Sequence, residues 1–276
     1  MTAVHRRVSP LRRTCVVALL SACAPLGIGI AATHAQDQTQ PAGEALPAAK
    51  TLFERHIEAA GGRAAFKAQK NRVMHGSFTS NQPGSPRLLL TIWAAAPDRI
   101  RVEIDEPGVG KTVRAFDGKV GWETNRAGVT VIYEGDELTD FRETAHFNGE
   151  ADYEKLYASY ETVGLVNIGD RPAYHVKAIS PTGKESAVYF DVETGLAVAK
   201  ATTLKSDRGN ELIRALFQDY RETEGLKFPM RVVQAMGQTE WRVQYTRIDV
   251  NADESKFPSF SPPPGAISPG APPAGN

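Results

Sequence analysis

From Asn71 onward, apolar and polar residues alternate, and this alternation constrains the fold more than any other feature of the chain. In "RIRVEID", Ile100, Val102 and Ile104 fall on one side, with Arg99, Arg101 and Glu103 on the other. "VTVIYE" sets Val129, Val131 and Tyr133 together, and "PAYHVKAI" sets Tyr174, Val176 and Ala178 opposite His175 and Lys177. "SAVYFDV" groups Val188, Phe190 and Val192, and "EWRVQYTRI" groups Trp241, Val243 and Tyr245. Side chains of a strand alternate between the faces of its sheet, so this pattern predicts an antiparallel sheet with one wet and one buried face. The template gives about ten strands. Open twisted sheets rarely exceed ~10 strands without curling, so the expected architecture is α+β, a curled half-barrel sheet with helices over its apolar face.

Short acidic stretches punctuate the strands. "YFDVETGL" brings Asp191, Glu193 and Thr194 together between two apolar runs. Four or five residues ending in Gly195 fit a turn, with Asp191 bonding its own backbone. "AFDGKVGWE" and "DYRETEGLKFP" repeat this grammar at Asp117-Gly118 and Gly225. Three acidic turns of one layout argue for hairpin connections rather than a carboxylate active site.

Helical spacing occurs in two places. In "AAKTLFERHIEAAGGRAAFKAQK", Phe53, Ile57 and Ala60 recur on one helix face, Gly61-Gly62 ends it, and Arg63–Gln69 starts a second short helix. "DELTDFRETAHFNGEADYEKLY" carries Leu138, Phe141 and Ala145 at the same spacing, and Gly149 breaks it.

The ends differ from this core. Arg6, Arg7, Arg12 and Arg13 precede the uncharged "TCVVALLSACAPLGIGIAA", and small residues lead to Ala35. A basic start, an apolar middle and a small-residue site read as an export signal over 1–35. Leu20-Ser21-Ala22-Cys23 also resembles a bacterial lipobox, so the alternatives are a soluble periplasmic protein and one anchored in the outer membrane through acylated Cys23. Residues 36–47 read as a flexible lead, 48–257 as one domain, and the Pro-rich 258–276 as a disordered tail.

The chemistry-bearing residues are sparse. Both cysteines, Cys15 and Cys23, lie in the leader, so a chain starting at Gln36 has neither thiol catalysis nor thiolate ligands. Removing the leader takes away four arginines and no acid, turning a balance of 32 against 32 mildly acidic. That charge does not point to nucleic acid. His56, His75, His146 and His175 show no close metal-ligand spacing, and no G-x-S-x-G elbow occurs. Gly110-Lys111-Thr112 imitates the end of a phosphate-binding loop, but Asp105 stands where its first glycine belongs and a strand pattern follows. Neither a metal nor a cofactor is expected. Apolar surface remains, and a single sequence does not separate a filled core from the lining of a ligand cavity.

The succession "AAGGRAAFKAQKNRVMHGSF", "WAAAPDRIRVEI", "AFDGKVGWE", "YFDVETGLAVAK" and "FQDYRETEGLKFPMRV" resembles the bacterial outer-membrane lipoprotein-sorting family, the LolA/LolB-like group, in its uncharacterised exported branch. The match runs from Leu52 to about Phe257 and rests mostly on turns and strand edges. The resemblance implies a curled half-barrel with helices over its concave face. It also implies a non-enzymatic carrier of lipid or lipoprotein acyl chains, with envelope membrane proteins as further partners. An arginine that latches the lid belongs to the family pattern, and nothing selects Arg99, Arg101 or Arg114 for it. Alternation assigns the cavity lining to Leu90, Ile92, Ile100, Val102, Val113, Trp122, Phe190 and Trp241, beneath lid residues Phe53, Ile57 and Phe141. The rival readings are an envelope interaction module with a filled core and an envelope hydrolase acting through scattered carboxylates.

Overall fold

The computed structural model describes residues 45–206 and 209–268, with side chains outside 204–210. The export signal, Cys23, most of the lead and the last residues of the tail lie outside the described residues. Helix α1 (Ala49–Ala59) buries Leu52, Phe53, His56 and Ile57 along one face, as its spacing dictates. Gly61 then turns the chain at φ 129°, and α2 (Gly62–Ala68) buries Phe66. A Cβ on Gly61 would stand 2.1 Å from the Gly225 carbonyl oxygen, so this helical turn packs on a strand hairpin with no room for a side chain.

The sheet begins with β1 (Asn71–Ser80), β2 (Leu88–Ala95) and β3 (Arg99–Glu106), then β4 (Gly110–Phe116), β5 (Gly121–Thr124) and β6 (Thr130–Ile132). Helices α3 (Gly135–Ala145) and α4 (Tyr153–Leu156) intervene. It resumes with β7 (Ser159–Ile168), β8 (Arg171–Ile179), β9 (Glu185–Asp191) and β10 (Ala197–Ser206). Strands β11 (Gly209–Thr223), β12 (Leu226–Met236) and β13 (Thr239–Val250) complete it. All thirteen form one sheet in the order β6-β5-β4-β3-β2-β1-β13-β12-β11-β10-β9-β8-β7. Every neighbouring pair is antiparallel, and each except β1–β13 is a chain neighbour.

The sheet thus exceeds the ten strands expected from alternation, for a physical reason. Strands β5 and β6 have four and three residues, too few to show a period. Edge strand β7 exposes much of both faces, so selection for a buried side is weak along it. Gly110 to Val113 lies in β4, paired back onto β3, so the loop-like motif is a hairpin arm with no helix after it.

The apolar face of the sheet shares one continuous buried cluster with α1, α2, α3 and α4. The opposite face carries a second, small cluster of Val113, Ala115 and Trp122, with Ile132 against it. The tail is the main correction to the domain reading. Residues 258–268 are described and lie against this opposite face. Trp122 Nε1 donates to the Phe260 carbonyl at 2.8 Å, and Arg101 donates to that of Ser259 at 2.8 Å. Ile267 exchanges two backbone hydrogen bonds with β6, forming a short parallel bridge on that sheet edge. Composition signalled a chain unable to build a core. It did not reveal a tryptophan and a strand edge elsewhere that could hold it.

Candidate functional site

Directly opposed residues on adjacent antiparallel strands project from the same face. Ile100 opposes Phe116, and Val102 opposes Arg114, so these four share the helix-bearing side. Arg101 opposes Ala115, which opposes Trp122, and Glu103 opposes Val113. Val113 and Trp122 therefore belong to the opposite face, and the single apolar wall expected from alternation has to be corrected by these two. Beneath the tail both faces of β4 are buried, so Val113, Arg114, Ala115 and Phe116 all count as interior. Alternation then loses its meaning, and an arginine occupies the position an apolar residue was expected to fill.

Leu90, Ile92, Ile100, Val102, Phe190 and Trp241 are brought together in the main cluster, with Phe53, Ile57 and Phe141 from the helices. They do not all surround one space. Phe141 lies under the β4–β5 half, edge-on to Phe116 at 6.1 Å and to Tyr133 at 5.5 Å. Phe53 lies over the other half, stacked on Tyr153 at 4.4 Å and edge-on to Phe190 at 5.1 Å.

Beside Phe53 and Phe190 is a largely apolar cavity of ≈ 60 Å³, between α1, α4 and strands β9–β12. Tyr153 and Tyr157 close it from the helical side, and Phe217 and Tyr220 line it from β11. Lined mainly by apolar and aromatic groups, the cavity also meets the side chains of His56, Glu150 and Lys200. Of the residues chosen from sequence, only Phe53 and Phe190 touch this space. The missed tyrosines did leave a signal, since Tyr153 and Tyr157 stand four apart in "DYEKLY", a helical spacing.

The polar atoms around the cavity are mostly engaged in holding the helices. His56 Nδ1 accepts from the Ala197 amide at 3.1 Å, and Nε2 lies 3.6 Å from Glu150. Tyr153 donates to Glu54 at 2.8 Å. Burial, then this carboxylate, push the Tyr153 hydroxyl pKa well above its ordinary value. Arg55 donates to the Val192 and Glu193 carbonyls, at 2.8 and 3.0 Å, so "YFDVETGL" is where α1 docks on the β9–β10 turn. Asp191 accepts from the Thr194 amide and hydroxyl, both at 2.7 Å, and from Arg171 at 2.9 Å. Burial opposes its ionisation, but those hydrogen bonds and the Arg171 charge prevail and lower its pKa. All three bonds end on Oδ1, which ties the carboxylate to the turn and to β8.

The segment between α3 and α4 is pinned separately. Buried Arg72 of β1 donates to Gln69 at 2.9 Å and to the Phe147 carbonyl at 3.2 Å, with its guanidinium 4.8 Å from the Phe147 ring. His146 sits between Asp98 at 2.7 Å and Asp152 at 3.1 Å. Nothing in the sequence singles out Arg72, because "NRVMHGS" does not announce that position as inward. Among the described residues no cluster of His, Cys, Asp and Glu could hold a metal ion, and no helix is long and apolar enough to cross a membrane.

No protein-family model and no curated protein sequence matches the chain. Solved structures do. A LolA superfamily protein from Nitrosomonas europaea superposes with a TM-score of 0.54 at 13% identity, covering 79% of this chain and 99% of that one. A DUF1329 family protein from Desulfovibrio piger gives 0.55 at 11% identity, covering 76% and 96%. A domain described as an outer membrane lipoprotein-sorting protein, from Vibrio parahaemolyticus, gives 0.50 at 10% identity, covering 74% and 96%. With thirteen antiparallel strands in one unclosed sheet and this superposition over most of its length, the chain has the LolA-like fold.

Proposed function

We propose that this protein is an exported, non-enzymatic binder of acyl chains in the bacterial envelope, with the sheet as a half-barrel and the helices as the cover of its concave face. The observation that carries the reading is the aromatic-lined cavity between α1, α4 and the sheet, the place where an apolar guest would enter. Binding would draw on apolar area removed from water, at roughly 25 cal/mol per Å². The cavity as it stands, at ≈ 60 Å³, has room for a few waters and falls far short of an acyl chain. An acyl chain therefore requires α1 or α4 to move outward, which would uncover part of the apolar face each buries. The resemblance in the motifs and the likeness in fold to lipoprotein-sorting proteins support the same reading. Export through the leader, and either a free periplasmic form or one anchored through Cys23, belong to this proposal.

The small cavity also favours a second reading, an envelope interaction module whose core is simply full. One experiment separates them: native mass spectrometry of the protein purified from a bacterial periplasm. Bound masses matching phospholipid or acyl species support the carrier. A mass that stays free of ligand after incubation with lipids and acyl peptides refutes it. Val188→Glu, on the cavity wall, should abolish loading, whereas Arg101→Glu, on the opposite face, should leave it intact.

A further inference from the structure

Lys200 stands among apolar neighbours. On β10 it opposes Val188 of β9 and Ala215 of β11, both buried members of the apolar cluster. Its side chain therefore projects from the helix-bearing face, is half-buried, and lines the cavity. An ammonium on such a face is ordinarily matched by a carboxylate, because removing it from water without a partner is unfavourable. None of the described ion pairs or hydrogen bonds involves Lys200. Its one close polar relation is to the Tyr157 ring, 5.4 Å from the ammonium to the centroid, a weak attraction beside a full counter-charge. Glu150, the acid in the same cavity, is directed to His56 instead. The cavity thus presents aromatic walls and one cation without an ion-pair partner among the described residues.

We infer that the cavity takes an acyl chain with an anionic head, a carboxylate or a phosphate, and that Lys200 receives that head. The inference rests on the carrier reading and sharpens it, because a neutral acyl group of a lipoprotein would leave the ammonium unmatched. A charge-assisted hydrogen bond in a partly desolvated site is worth roughly tenfold or more in affinity. A lysine can lay its alkyl stem along an apolar wall while its ammonium meets the head, so one side chain serves both parts of such a ligand.

The test measures binding of palmitate, 1-palmitoyl lysophosphatidic acid and neutral hexadecanol to the full chain and to three variants. In the unaltered protein at least one anionic probe should bind about tenfold more tightly than hexadecanol, and which one does so tells a fatty acid from a phosphate-headed lipid. Lys200→Met should weaken the anionic probes and remove that preference. Lys200→Arg should retain it, and Glu150→Gln should strengthen anion binding. Equal binding of all three probes overturns the inference while leaving the carrier intact. So does a preference that survives in Lys200→Met, or an equal loss of every probe there. If no probe binds the unaltered protein, the carrier reading itself falls, and this inference with it.

Discussion

Arg114 offers a quantitative test of how this sheet tolerates a charge in its interior. Its side chain is 1% exposed, and Nε donates to Glu123 Oε2 at 2.7 Å. Tyr133 donates to that same oxygen at 2.8 Å, and the guanidinium lies 5.2 Å from the Tyr133 ring. Burial drives the Tyr133 hydroxyl pKa far up, so the phenol is a permanent donor. Removing the acid alone, in Glu123→Leu, strands a cation in the core, and breaking a buried pair from one side costs about 3–5 kcal/mol. Arg114→Met removes the cation but leaves Glu123 partly solvated and still bonded to Tyr133, so its cost is about 1–3 kcal/mol. The double variant replaces the pair by apolar groups and should fall within about 2 kcal/mol of the parent. The expected coupling is then at least about 2 kcal/mol and centred on ~4 kcal/mol, read from urea unfolding monitored by tryptophan fluorescence. At ~2–4 °C per kcal/mol for a domain of this size, Glu123→Leu should melt roughly 6–20 °C lower. A loss below about 1 kcal/mol in Glu123→Leu, with additive effects in the double variant, would refute the argument.

Three other outcomes follow from the geometry. Ending the chain after Phe257 uncovers Trp122 and removes the Phe260 and Ile267 contacts, so the unfolding free energy should fall by about 2–5 kcal/mol, with a red-shifted tryptophan emission. Gly61→Ala meets the Gly225 carbonyl at a positive φ, and urea titration should show a loss above about 2 kcal/mol. The lowered pKa of Asp191 contributes stability that is present above the ordinary carboxylate range and is lost as pH falls through the lowered native value. Thermal melts of Asp191→Asn should therefore lie below those of the parent at pH 7 and converge on them in strong acid.

Much of the fold was legible because a strand half in water leaves a period of two. Ile100, Val102 and Ile104 are buried as their alternation requires, and Phe53 and Ile57 as their helical spacing requires. Legibility failed where that condition failed. Under the tail both faces of β4 are dry, so Val113 and Trp122 were assigned to the wrong wall, and on the solvated edge β7 almost nothing is buried. The cavity was harder still, since it depends on distant pieces meeting. Nothing near Lys200 in sequence announces Tyr157, and the reach of Arg72 to Phe147 crosses from the first strand to the helical segment.

The order of the strands has a consequence for synthesis. Strands β1 to β6 can pair as successive hairpins as soon as they are made. The outer edge of β1 cannot, because its partner is β13, and Arg72 must wait for Val250 as Ser80 must wait for Trp241. Until the last strand emerges, the nascent protein carries an open template of unpaired amides and carbonyls in the middle of its future sheet. Unfilled edges of this kind recruit strands from other chains. A ribosome stalled before Thr239 would therefore release a species with a ready-made seed for aggregation, and the final twelve-residue strand is the stopper that removes it.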